Sequence, residues 1–213
     1  MIMPLITFGK KRVIVDVDTQ EHFFTERGIA RVHNHRQVLA NILRVVKWAK
    51  RKNIRMISTA QVLPSEYSYC NCRLNNFDGQ KKISYTLRRS YVSFGAEDNT
   101  DLRPDILVRY DQVIFYKRCF DPFEEPRVDR MLSELYADEF VLIGAATEGA
   151  VRATALGLLA RQKNVTVLVD ATGSYNRRAG EITLRLLQER GAKLIKTQTF
   201  LSSCCLNLQT SHV

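Results

Sequence analysis

Histidine is scarce in this chain of 213 residues: there are four, and none lies between His35 and His212. A zinc site built on paired imidazoles has little to draw on, so no metal is expected. The five cysteines, Cys70, Cys72, Cys119, Cys204 and Cys205, are odd in number and show neither zinc-ribbon nor disulfide-framework spacing. A reducing compartment follows, and cytoplasm is the expected location, because no secretory signal opens the chain. No run approaches the ~18 apolar residues of a membrane span, so no membrane partner is expected. Acidic charge is also short, with 22 Asp and Glu against 32 Lys and Arg and a net charge of +10. Such a field favours anionic partners: phosphates, carboxylates or nucleic acid. A basic solvated surface accounts for the same numbers.

What is present is an alternation. Val13–Asp18, VIVDVD, reads as a strand rich in β-branched residues. His35–Lys52 reads as a helix with Val38, Leu39, Ile42, Val46 and Ala49 on one face. Ile54–Thr59 is a second strand, Gln112–Tyr116 a third ending at Lys117, Phe140–Gly144 a fourth and Val165–Asp170 a fifth. Lys193–Lys196 completes a set of about six strands. Between them Pro126 opens one helix, Glu148–Arg161 forms another, and Arg178–Arg190 a third, stopped by Gly191. Residues 60–110 lack clean periodicity and read as an irregular excursion over the site or against another subunit. The tail 199–213 is read as poorly ordered, leaving 1–198 as one domain.

Nearly continuous apolar strands alternating with helices argue for a mostly parallel sheet covered on both faces, a three-layer α/β/α architecture. Sites in such sheets form at the carboxyl ends of strands. Asp18, Lys117 and the turn at 145–150 all fall at predicted strand ends. Three distant segments therefore converge on one crevice.

The same segments resemble the isochorismatase-like hydrolase family, which includes cysteine hydrolases such as nicotinamidases. VDVDTQEHFF at 15–24 is similar to the family's Asp-x-Gln-x-x-Phe strand end and places its residues at Asp18, Gln20 and Phe23. FYKRCFDPF at 115–123 resembles the lysine strand, with Lys117 and an aromatic at Phe123. GAATEGAVRATALGLL at 144–159 resembles the nucleophile turn, and VLVDATGS and LLQERGAKLIKT resemble the elements that follow. The resemblance implies a Rossmann-like isochorismatase fold, a small-molecule substrate bound without a cofactor, and a homo-oligomer. It implies Asp18 as general acid or base and Lys117 as its cationic partner. Gln20, Phe23, Phe123, Ala146 and Thr147 would line the substrate. The backbone N–H groups of Ala146 and Ala150 would form the oxyanion site, beside a cis peptide at Ala145–Ala146.

Two departures qualify it. The slot of the nucleophilic cysteine holds Ala150, so attack by a thiol from that position is excluded. The Asp-x-His metal motif of nicotinamidases is missing from STAQVLPSE at 58–66. The implied function is hydrolysis of a small amide-bearing or anionic molecule with the cysteine replaced. One alternative is vinyl-ether hydrolysis of the isochorismatase type, with Asp18 as the acid. Another is a catalytically silent protein that binds small anions or nucleic acid. For the last, Tyr67, Tyr69, Tyr85 and Tyr91 with Lys81, Lys82, Arg88 and Arg89 offer stacking and charge, without a recognised motif. Cys119, two residues past Lys117, reads as a displaced nucleophile or, by ordinary preference, a small buried residue.

Overall fold

The computed structural model describes residues 10–26, 28, 30–62 and 81–206. Strands form where β-branched and aliphatic residues run without interruption. They are β1 (Arg12–Val17), β2 (Arg55–Gln61), β3 (Tyr91–Phe94), β4 (Gln112–Lys117), β5 (Glu139–Ala145), β6 (Val165–Gly173) and β7 (Lys193–Ile195). They pair in the order β3-β4-β2-β1-β5-β6-β7, and every ladder is parallel. Parallel pairing requires a crossover between neighbours, and the helices supply it.

The helices are α1 (Glu21–Phe24), α2 (His35–Arg51), α3 (Ile106–Arg109), α4 (Pro126–Glu134), α5 (Arg152–Ala160), α6 (Arg177–Glu189) and α7 (Thr197–Leu206). On one face, α2 buries Val38, Ile42, Val45, Val46 and Ala49 against Ile14, Met56, Val141 and Ile143 of the sheet. On the other, Val128, Met131, Leu132, Ala155, Leu158 and Leu187 cover Val13, Val15, Ile57 and Phe115. Each large aliphatic side chain so buried contributes about 1.5–3 kcal/mol. Helix ends follow local chemistry. Pro126 stands in the first turn of α4, and Gly191 takes φ +100° just past α6. The Asn176 side chain accepts from Ala179 N at 3.1 Å and caps α6. Asn176→Ala is expected to lower stability by about 1 kcal/mol in urea unfolding. No change would mean that the cap is not formed in solution.

Two elements depart from the sequence expectation of six strands and a loose tail. β3 adds a seventh strand at the sheet edge, inside the stretch 60–110 read as irregular. Its four residues alternate exposed and half-buried, too short a pattern to stand out from a loop. Residues 197–206 are not a loose tail: they form α7, whose Phe200 is 2% exposed and meets Trp48 of α2 edge-on at 5.0 Å. Phe200 and Cys204 fall on one helical face, and that face has meaning only once α2 is beside it. Residues 207–213 and the Cys70-Asn71-Cys72 segment lie outside the described residues. No helix among the described residues is long and apolar enough to cross a membrane.

Candidate active site

β1 and β5 are neighbours whose chains leave the sheet in opposite directions, β1 towards β2 and β5 towards β6. Ligands collect at such switch points, outside the carboxyl ends of the strands. Asp18 follows β1 there, Lys117 ends β4, and the turn 146–151 follows β5.

Asp18 carries a left-handed backbone, φ +48°. Residues two apart on an extended strand point the same way. Asp16 and Asp18 do not. Asp16 faces the α2 side, where Ser58 Oγ donates to its Oδ2 at 2.9 Å. Asp18 is turned to the opposite side, where Thr59 Oγ1 donates to its Oδ1 at 2.6 Å and Lys117 Nζ stands 2.7 Å from its Oδ2. Both side chains of the pair are 0% exposed. Lys117 Nζ also donates to the Cys119 carbonyl at 3.0 Å, which fixes the ammonium from behind. Asp18 and Lys117, from two of the three distant segments expected to converge, are thus in contact.

The turn after β5 has a cis peptide at Ala145–Ala146, as the resemblance implies. Ala146 O accepts from Gly149 N at 3.0 Å and Val151 N at 3.1 Å, closing a wide turn over Thr147–Val151 that leads into α5. Ala150 is 2% exposed and packs in the apolar cluster with Val17, Val151 and Ala155. Thr147 Oγ1 donates to Gly173 O at 3.0 Å, which ties the turn to the end of β6. Glu148 Oε1 accepts from Tyr175 N at 2.8 Å and Asn176 N at 3.3 Å, which ties it to the loop before α6.

The remaining expected residues divide. Gln20 is buried and exchanges two hydrogen bonds with the Gln61 backbone, at 2.9 and 2.8 Å, so it clamps the ends of β1 and β2 together. Phe23 is 3% exposed and faces Tyr175 across 6.1 Å between ring centres. Phe123 lies against Gly157 of α5, with the Arg161 guanidinium 3.9 Å from its ring centre. Cys119 is exposed rather than buried. A hydrogen bond to Glu124, with burial second, raises its thiol pKa, which is the opposite of an activated nucleophile.

Tyr175 escaped the sequence reading, because nothing in SYNRR marks it. Although 46% of it is exposed, burial of the phenol, with the charges of Glu148 and Asp18 beside it, pushes its pKa up to about 12. It stays protonated, and so a hydrogen-bond donor, at neutral pH. Next to the turn, a cavity of about 730 Å³ is lined by Gln61, Arg118, Phe120, Glu148, Arg152 and Leu156 among others. That size suits a small molecule. Among the described residues no cluster of His, Cys, Asp and Glu could hold a metal ion.

Sheet order, crevice and buried carboxylate–lysine pair define a parallel α/β scaffold with a candidate site at its switch point. A model of the isochorismatase domain matches residues 12–199, and the chain belongs to the isochorismatase family. No curated protein sequence matches it. Among solved structures it is similar to an isochorismatase-like hydrolase from Alkaliphilus metalliredigens, 20% identical over 91% of this chain and 98% of that one, TM-score 0.69. A cysteine hydrolase from Pseudomonas syringae pv. phaseolicola is 15% identical over 95% and 97% of the two chains, TM-score 0.72. A ribonuclease from Caenorhabditis elegans is 18% identical over 90% and 80%, TM-score 0.63. At these identities the likeness shows the fold alone.

Proposed function

We propose that this chain is a hydrolase of a small anionic or amide-bearing molecule that works without a thiol. Asp18 moves the proton, Lys117 orients it, and water is the nucleophile. One observation carries the reading: the Asp18–Lys117 pair is complete, fully buried and held at 2.7 Å, while the nucleophile slot holds Ala150. A buried ion pair is costly to maintain and seldom the best filling for a core, so its presence at a strand-end crevice favours a chemical role.

For an amide, water oxygen attacks the carbonyl carbon and gives its proton to the Asp18 carboxylate. The collapsing intermediate expels the amine, which takes that proton from Asp18. In this reading the backbone N–H groups of Ala146 and Ala150 stabilise the developing oxyanion. For a vinyl ether, Asp18 in its acid form protonates the enol carbon, and water adds to the resulting oxocarbenium carbon and returns a proton to Asp18. The hemiketal then collapses with cleavage of the ether C–O bond to a carbonyl compound and an alcohol. A basic surface suits an anionic substrate of either kind.

A panel of amides and enol ethers tests this with three proteins: the chain itself, Asp18→Asn and Ala150→Cys. The expected result is turnover by the unmodified chain that falls about 10²–10⁴-fold in Asp18→Asn. Turnover by Ala150→Cys alone would instead mean a cysteine hydrolase that has lost its nucleophile. Silence from all three would reject both enzymatic readings in favour of a binding protein.

A further inference from the structure

Asp18 needs a reason to stay where it is. A non-glycine residue at φ +48° sits in a sparsely populated region and persists only when its surroundings hold it. The alternative is plain: in extended conformation its side chain would join Asp16 on the α2 face, away from Lys117. The next residue, Thr19, is gripped twice. Lys82 Nζ donates to Thr19 Oγ1 at 2.6 Å, and Ile83 N donates to Thr19 O at 3.0 Å. Lys82 is itself anchored, its Nζ 2.6 Å from Asp16 Oδ2, with side chains 4% and 0% exposed. The anchor extends through Ser58 Oγ, which receives Gln112 Nε2 at 2.7 Å, to β4. A bridge between Gln20 and Lys82 and a bond from Glu21 N to Lys81 O at 2.9 Å complete the grip on residues 19–21. Asp16 Oδ1 has no hydrogen-bond partner among the described residues. A carboxylate so poorly satisfied for its own sake is better explained as the seat of Lys82 than as a packing element.

We propose that Lys82, seated on Asp16, is a positioning residue that locks Thr19 and thereby holds Asp18 in its left-handed conformation facing Lys117. The inference rests on the reading of Asp18 as the proton-transfer group. It assigns a function to a second buried carboxylate–lysine pair, on the opposite face of the same strand end.

Lys82→Met tests it, together with the double variant Asp16→Val with Lys82→Met, which removes both charges and so keeps a foldable core. Two measurements are made on each: the crystal structure, and kcat and KM on the best substrate of the panel. The expected result is the same for both variants. Asp18 leaves φ near +48°, its contact with Lys117 opens, and kcat falls about 10²-fold while KM holds within about twofold, the loss a misplacement of ~1 Å brings. A purely structural role predicts that the double variant, once stable, recovers both Asp18 geometry and kcat. That outcome, or an Asp18 still left-handed against Lys117 in either variant, overturns the proposal. If the panel yields no substrate, the crystal structures decide alone. If Asp18→Asn keeps full turnover, the catalytic reading fails while the structures still judge the positioning.

Discussion

Lys117→Met is expected to destabilise the protein by about 3–5 kcal/mol, the usual cost of breaking a buried ion pair by removing one partner. Among the described residues the ammonium has two polar partners, Asp18 Oδ2 at 2.7 Å and the Cys119 carbonyl at 3.0 Å. Without it, Asp18 keeps one side-chain donor among the described residues, Thr59, on a carboxylate that is 0% exposed. Methionine matches the stem of lysine in length, so the loss reports charge rather than a cavity. The double variant Asp18→Asn with Lys117→Met should therefore be more stable than Lys117→Met alone, since no unpaired charge remains. Urea unfolding of the three proteins completes the cycle. A single-variant loss below about 0.5 kcal/mol, the scale of an ordinary surface substitution, would show that the pair is solvated in solution and not the buried device described.

Gly144→Ala is expected to cost more than about 4 kcal/mol, at the exceptional end for a point substitution. Gly144 pairs with Val17 across the β1–β5 ladder, one residue before Asp18, and has φ +122°. A Cβ built there would lie 1.8 Å from the Val17 carbonyl oxygen. The obstacle is backbone in the centre of the sheet, which cannot move aside without displacing Asp18. Gly191→Ala is the control. It has φ +100° but nothing within 4 Å of a new Cβ, so it isolates the conformational term, roughly 1–2 kcal/mol. Similar losses in the two variants, measured by chemical denaturation, would mean that the sheet relaxes around position 144 and that the close approach is not essential.

How much of this was legible beforehand depends on the range of each interaction. β1, α2, β4 and β5 were readable because their apolar periods are local and long. Gly191 and Pro126 were readable because their conformational preferences act at the residue itself. β3 was not, because four half-buried edge residues carry too little pattern. α7 was not, because Phe200 gains its burial beside Trp48 of α2, about 150 residues earlier in the chain. Among the expected substrate residues, Phe123 packs against α5, which no spacing near position 123 foretells.

The sequence by itself determined the alternating parallel architecture, the placement of Asp18 and Lys117 at strand ends, and the presence of alanine rather than cysteine at position 150. Each is written in residue identity or in contacts a few positions apart. The tertiary structure alone decided that Asp18 turns away from Asp16 to meet Lys117, that Lys82 seats behind it, and that Tyr175 borders the same crevice. Those outcomes depend on strand order and on one backbone dihedral. Both are settled by packing between segments that lie tens of residues apart in the chain, beyond the reach of any local pattern.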